Sequence, residues 1–123
     1  MQRDMDLCRL ILFKIEKEYK STALFNLSID GYDMDLVAYH CGLLADAGLV
    51  TSYEPVYASD HIYSFGVGAL TWKGHEFLDM IREDTVWYKT KKNIKEHMLP
   101  FTLDVIKTVA SDIITKILKD LIG

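Results

Sequence analysis

The chain has 123 residues, of which half are apolar and 26% are charged, and its formal net charge at pH 7 is −4. This composition excludes an intrinsically disordered chain, and the length favours a single core. Two cysteines are too few for a disulfide-rich scaffold, so we expect Cys8 and Cys41 to be buried free thiols.

The amino-terminal segment mixes charged and apolar residues, whereas a signal peptide needs an unbroken apolar run after its basic residues. No segment contains the roughly twenty uninterrupted apolar residues that span a membrane. We therefore expect a cytoplasmic protein that does not bind or cross a membrane.

The first two predicted elements are a helix and a short strand. Between residues 4 and 19, apolar side chains recur at intervals of three or four, which predicts an amphipathic helix. Phe25, Leu27 and Ile29 then alternate with polar residues, which predicts a short strand before a turn at Asp30 and Gly31.

A second helix and a hairpin follow. Asp33 is placed to cap the helix and Gly48 to end it. Residues 49–57 and 61–70 are rich in Val, Tyr, Phe and Ile, and they predict two strands joined by a short connection. We interpret the aromatic residues of the hairpin as cross-strand core pairs. They are Tyr53, Tyr57, Tyr63 and Phe65.

The rest of the chain predicts two helices. Thr71 can cap a long helix whose apolar side gives way to lysines beyond Tyr88, so that this helix extends past the core. Pro100 then breaks the chain before a final amphipathic helix. We therefore predict a winged-helix-like domain that includes the long helix, residues 1–98, and a C-terminal amphipathic helix, residues 99–123.

This order of elements, with a hairpin between helices, predicts an α+β fold of the winged-helix kind. One part of the usual DNA-binding unit is missing from the pattern. A helix-turn-helix places a positioning helix before its recognition helix, whereas residues 20–32 are more typical of a strand and a turn.

Three segments of the chain resemble an uncharacterised family of small bacterial and prophage-associated proteins, classed as a domain of unknown function. The segments are RDMDL at residues 3–7, YHCGLLADAGLV at residues 39–50 and LTWKGHEFLDMIREDTVWYKTK at residues 70–91. The resemblance covers most of the chain and implies a winged-helix-like fold. It implies no catalytic or ligand-binding residue.

Reactive side chains in the sequence favour structural roles. The segment HEFLD differs from the zinc-binding HExxH pattern because Asp79 replaces the second histidine. His40 and Cys41 are adjacent on a helix, where neighbouring side chains point about 100° apart. We therefore expect no metal site, no cofactor and no catalytic residue, and we interpret the protein as non-enzymatic.

The charges argue against DNA binding through the usual winged-helix surface. Residues 33–80 contain seven acidic side chains and one lysine, a balance that repels the phosphate backbone. Positive charge is concentrated instead in or beside the first helix and in the long helix, where it lies at Lys89, Lys91, Lys92 and Lys95. These four lysines are either a phosphate-binding patch or a solvated helical face.

The final helix carries a broad apolar face that we expect to form an oligomer interface. The predicted interface residues are Leu103, Ile106, Val109, Ala110, Ile113, Ile117 and Leu121. Folding of this helix back onto its own domain is the main alternative. A position on a membrane surface is less favoured because its lysines and aspartates balance.

These observations predict a homo-oligomeric interaction or regulatory module, such as a dimer, that has a protein partner. The alternative is a DNA-binding transcriptional regulator that uses the basic helical arm.

Overall fold

The computed structural model describes all of residues 1–123. Its elements are α1 Met5–Glu18, β1 Leu24–Phe25, α2 Met34–Asp46, β2 Tyr53–Ala58, β3 His61–Val67, α3 Trp72–Ile81, α4 Asp84–Glu96 and α5 Leu103–Ile122. The predicted α+β class is confirmed, and the β2–β3 hairpin between α2 and α3 is consistent with a winged-helix-like arrangement. The residues form two compact units, Met1–His75 and Glu76–Gly123.

Helices α1 and α2 begin where the sequence predicts because each has a carboxylate cap. Asp4 accepts a hydrogen bond from the Leu7 amide at 3.1 Å, and Asp33 accepts one from the Leu36 amide at 2.9 Å. Helix α2 ends before Gly48, whose φ of 76° is unfavourable for residues with a side chain. The two helices pack together and supply much of the apolar core of the first unit.

The sheet has the order β1-β3-β2, and both pairings are antiparallel. The predicted first strand is confirmed only at Phe25, since β1 ends there and Leu27 and Ile29 lie outside it; Asn26 adopts a positive φ of 52° directly after the strand. The Asn26 amide donates to the Phe65 carbonyl, and its side-chain oxygen accepts from the Phe65 amide. No helix forms between β1 and α2, so the positioning helix of a helix-turn-helix is absent.

The hairpin aromatics are only partly in the core, so that prediction is wrong in part. Phe65 is buried, and its ring centroid lies 6.1 Å from that of Tyr53. Tyr57 and Tyr63 are 66% and 63% exposed. A register shift between Val56 and Tyr57 interrupts the alternation on which the prediction depended.

The prediction of one long helix after the hairpin is also wrong. Helix α3 ends at Ile81, and Glu83 has the extended conformation of a new N-cap before α4 begins. Two successive acids, Glu83 and Asp84, suit a helix N-terminus because they lie at the positive end of its dipole. The break changes which side of the helix is buried: Trp87 is in the core, whereas Tyr88 is 63% exposed.

Helix α5 begins after the predicted break at Pro100, and Thr102 caps it by accepting from the Val105 amide at 3.3 Å. Its first half packs against α4, and both Ile106 and Ala110 are fully buried. Every residue from 115 to 122 is exposed. None of the five helices is both long enough and apolar enough to cross a bilayer.

Candidate binding surfaces

A cleft of about 520 Å³ lies between α2 and the β2–β3 hairpin, and we call it the α2–hairpin cleft. Residues of both elements line it, together with Met1. From α2 come Asp35, Ala38, Tyr39, Gly42, Leu43, Ala45 and Asp46, and from the hairpin Tyr53, Tyr57, Asp60, His61 and Ile62. All of these residues belong to the first compact unit.

The acidic side chains of the cleft lie in the first and last turns of α2 and in the hairpin turn. Asp35 and Asp46 are eleven residues apart, which corresponds to roughly 16 Å along a helix. Asp35 also accepts a hydrogen bond from the Ile62 amide at 3.4 Å and so connects the helix to the hairpin. No lysine or arginine lines the cleft.

Gly42 gives the middle of the cleft its form. A Cβ atom at this position would lie 3.1 Å from the Tyr53 ring, so a larger residue would move the ring away from α2 by a few tenths of an ångström. Burial raises the pKa of Tyr53 to about 12. Tyr53 is therefore a neutral, largely fixed wall of the cleft at physiological pH.

The four lysines of the predicted phosphate patch all lie on α4, and with Tyr88 they form what we call the α4 basic face. At about 100° per residue, Lys91, Lys92 and Lys95 are within about 60° of Tyr88 around the helix. Lys91 lies 5.4 Å from the Trp87 ring centroid, and Lys92 lies 4.0 Å from a Glu96 carboxylate oxygen. The sequence suggested the lysines but not the exposed tyrosine among them.

The predicted oligomer residues of α5 fall into two groups. Ile106 and Ala110 are buried within the single chain, so they are not accessible to a partner. Leu103, Val109 and Ile113 are partly buried, whereas Ile117 and Leu121 are exposed. Residues 115–122, which we call the α5 tail, also expose Leu118 and Ile122.

His40 has a structural role. It is fully buried, its Nδ1 lies 2.8 Å from the Leu36 carbonyl, and its Nε2 accepts from the Asp4 amide at 2.8 Å. Because a carbonyl can only accept, Nδ1 must carry the proton and the ring is neutral. The imidazole thus joins the start of α1 to α2, and neither ring nitrogen is free to act as a base.

The two cysteines are buried free thiols, as the sequence predicts. Burial raises the pKa of Cys8 and of Cys41 to about 12, so almost no thiolate forms near neutral pH. Neither residue is suited to nucleophilic chemistry.

The HEFLD segment, residues 75–79, lies within α3. Thr71 caps this helix, as predicted, by accepting from the Gly74 amide at 2.9 Å. His75 lies 3.9 Å from Glu16, and Asp79 pairs with Arg82 at 2.9 Å. No group of three histidine, cysteine, aspartate or glutamate side chains is arranged to hold a metal ion.

The α2–hairpin cleft is the surface that sequence reasoning missed. The signal was present in two acids that begin and end α2 and in the tyrosines of β2. Only the pairing of the hairpin and its packing on α2 bring them to one place.

Comparison with known proteins gives one family and no structural precedent. The family model described as "Hypothetical protein (DUF2513)" matches residues 2–100. An uncharacterized protein of Haemophilus influenzae is 42% identical over 119 residues, which cover 96% of this chain and 99% of that protein. No solved structure matches significantly. The chain therefore belongs to the DUF2513 family.

Proposed function

We propose that this protein is a non-enzymatic interaction or regulatory module that associates with a second copy of itself through the α5 tail. One observation carries the proposal. Four large apolar side chains in the last two turns of α5 are between 42% and 86% exposed: Ile117, Leu118, Leu121 and Ile122. Adjacent exposed apolar residues of this kind mark interaction sites.

The geometry of α5 supports a partner at this position. Successive steps of three or four residues place Ile106, Ala110, Ile113, Ile117 and Leu121 along one line of the helix. The first part of this line is buried against α4, and the same line continues into the exposed tail. Each such side chain stabilises an interface by about 1.5–3 kcal/mol when fully buried.

The test is the molar mass in solution by light scattering. We expect the full chain to be a dimer and the double variant Ile117→Lys with Leu121→Lys to be a monomer, because two buried charges would oppose association. Both substitutions are at exposed positions, so the single chain should keep its fold.

A matched control introduces the same two charges on the polar side of α5, as Thr108→Lys with Thr115→Lys. Both threonines are exposed. This control should remain a dimer. A monomeric full chain at high concentration, or equal dissociation of both double variants, would contradict self-association through the tail.

A second candidate function is nucleic-acid binding through the α4 basic face. The observation that favours it is the exposed Tyr88 ring among the lysines, because an aromatic ring in a basic surface can stack on a base. The acidic side chains of α2 and the hairpin turn disfavour the usual winged-helix contact.

The test is DNA affinity measured over a series of salt concentrations. Replacing Lys89, Lys91, Lys92 and Lys95 by alanine should weaken binding and make the salt dependence shallower if they contact phosphates. The control replaces Lys20, Lys107, Lys116 and Lys119 instead. Equal losses of DNA affinity in the two variants would indicate a general effect of charge rather than a binding site on α4.

A cytoplasmic location and an association with prophages belong to the same proposal. The free, buried cysteines support the first, because disulfides are rare in the cytoplasm. Fractionation of the host cell would test the location. Phage-derived genes beside the coding sequence would support the second.

A further inference from the structure

We propose that the α2–hairpin cleft binds an arginine-bearing segment of a partner protein. The proposal rests on the proposed role as an interaction module and names the chemistry of its partner. It involves the first compact unit only, so it does not depend on self-association through the α5 tail.

The form of the cleft suits a short peptide. Its length along α2, roughly 16 Å between Asp35 and Asp46, corresponds to about five residues of extended chain. Between the two acids the lining is apolar: Ala38 is buried, and the Tyr53 ring lies against Gly42.

The charge of the cleft selects a cationic occupant. Three of its lining side chains are carboxylates, whereas the amino group of Met1 is the one positively charged group of the lining, apart from any protonation of His61. Asp60 lies 3.6 Å from His61. A peptide with positive charges near both ends would therefore meet carboxylates at both ends.

The aromatic walls favour arginine over lysine. Tyr39 and Tyr57 are 42% and 66% exposed, so the cleft offers accessible ring faces next to its carboxylates. A guanidinium group can stack on such a ring while it donates two parallel hydrogen bonds to a carboxylate. A lysine ammonium cannot make this planar, bidentate contact.

The test is a titration of the full, isotope-labelled chain, followed by NMR, with the capped hexapeptide Arg-Ala-Ala-Ala-Ala-Arg. We expect shifts concentrated in residues that line the cleft. The matched peptide with two lysines should bind about threefold more weakly, and the peptide with two glutamates should cause no shift.

A charge variant tests whether the cleft acids are responsible. Asp35→Asn with Asp46→Asn keeps an acceptor at each position and should weaken arginine-peptide binding about tenfold. The control, Glu54→Gln with Glu76→Gln, removes the same charge at exposed positions outside the cleft and should change affinity less than twofold.

A second variant tests the form of the cleft without altering its charge. Gly42→Ala places a methyl group 3.1 Å from the Tyr53 ring and should move the ring by a few tenths of an ångström, with a loss of affinity of about threefold. Three results would overturn the proposal. They are equal losses of peptide affinity in the Asn and Gln double variants, equal affinity for the arginine and lysine peptides, and NMR shifts concentrated outside the cleft.

The variant Ile117→Lys with Leu121→Lys separates this proposal from self-association. It should bind the arginine peptide as well as the original chain does, even when it is a monomer. Loss of peptide binding in this variant would show that the cleft does not act independently of the tail.

Discussion

At the scale of single residues, the buried thiols of Cys8 and Cys41 make the stability of the fold depend on alkaline pH. The pKa of Cys8 and of Cys41 is raised from 9.0 to about 12 because burial disfavours the thiolate. In the unfolded chain the thiols ionise near their ordinary value. The neutral thiols therefore contribute stability fully below pH 9, and this contribution is lost as pH rises from 9 to about 12.

We expect the free energy of unfolding to fall above pH 9, and to fall less steeply in the double variant Cys8→Ala with Cys41→Ala. Urea titrations at several pH values measure this. A thiol reagent should also react with the native protein at pH 8 no faster than the chain unfolds. Rapid labelling of the folded protein would contradict the buried, protonated state.

For individual residues, burial could be predicted from the sequence, whereas specific hydrogen bonds could not. The pattern places Cys8, Cys41 and the four α4 lysines correctly as buried or surface residues, because periodicity reports which helix side is apolar. It does not reveal the role of His40, whose two hydrogen bonds depend on the packing of α1 against α2.

At the scale of elements, Thr71 connects the end of α2 to the start of α3. Its hydroxyl donates to the Gly48 carbonyl at 2.6 Å and accepts from the Gly74 amide at 2.9 Å. One side chain thus satisfies an acceptor beside one helix end and a donor at the start of the next helix.

We expect Thr71→Val to lower the free energy of unfolding by about 1–2 kcal/mol, because a side chain of the same form loses both hydrogen bonds. Thr71→Ser keeps the hydroxyl, so it should lower the free energy of unfolding by less than about half as much as Thr71→Val. Chemical denaturation measures the difference. Equal losses in the two variants would show that the methyl group matters and the cap does not.

The break between α3 and α4 shows why element boundaries were hard to predict. Phe77, Leu78 and Ile81 fit the expected apolar side, and all three are buried. Arg82 and Glu83 then interrupt the helix and rotate α4 relative to α3. Tyr88 therefore does not lie on the buried side, where a continuous helix would have placed it. Only the pair Glu83 and Asp84 signalled a new N-terminus.

The orientation of α4, which buries Trp87 and exposes Tyr88, leads to a direct prediction. Trp87→Ala should lower the free energy of unfolding by about 3–5 kcal/mol because the ring is buried beside Phe101, with centroids 5.8 Å apart. Tyr88→Ala should change it by less than about 0.5 kcal/mol. Thermal or urea unfolding distinguishes the two, and a large effect at Tyr88 would favour a continuous helix instead.

For the whole molecule, self-association should make stability depend on concentration. If the folded chains associate through the α5 tail, the thermal midpoint should rise as the protein concentration rises. It should be independent of concentration in the double variant Ile117→Lys with Leu121→Lys. Calorimetry across a hundredfold range of concentration measures this, and a constant midpoint in the original chain would contradict a dimer.

The overall order of elements was predictable from the sequence, whereas the α2–hairpin cleft was not. Caps, glycines and apolar periods are local signals, and they located α1, α2, the hairpin and α5. The cleft depends on residues 35 and 62 coming together across 27 positions, and no local pattern encodes that contact.

Helix α5 has 20 residues and α4 has 13, so α5 is longer by roughly 10 Å. Residues 115–122 are all exposed, so they add no buried side chain to the core of the single chain. Under the proposed self-association, the buried first half of α5 would serve folding and the exposed α5 tail would serve association. If the tail is the interface, substitutions in the last two turns of α5 would change the affinity for a partner and leave the buried core unaltered.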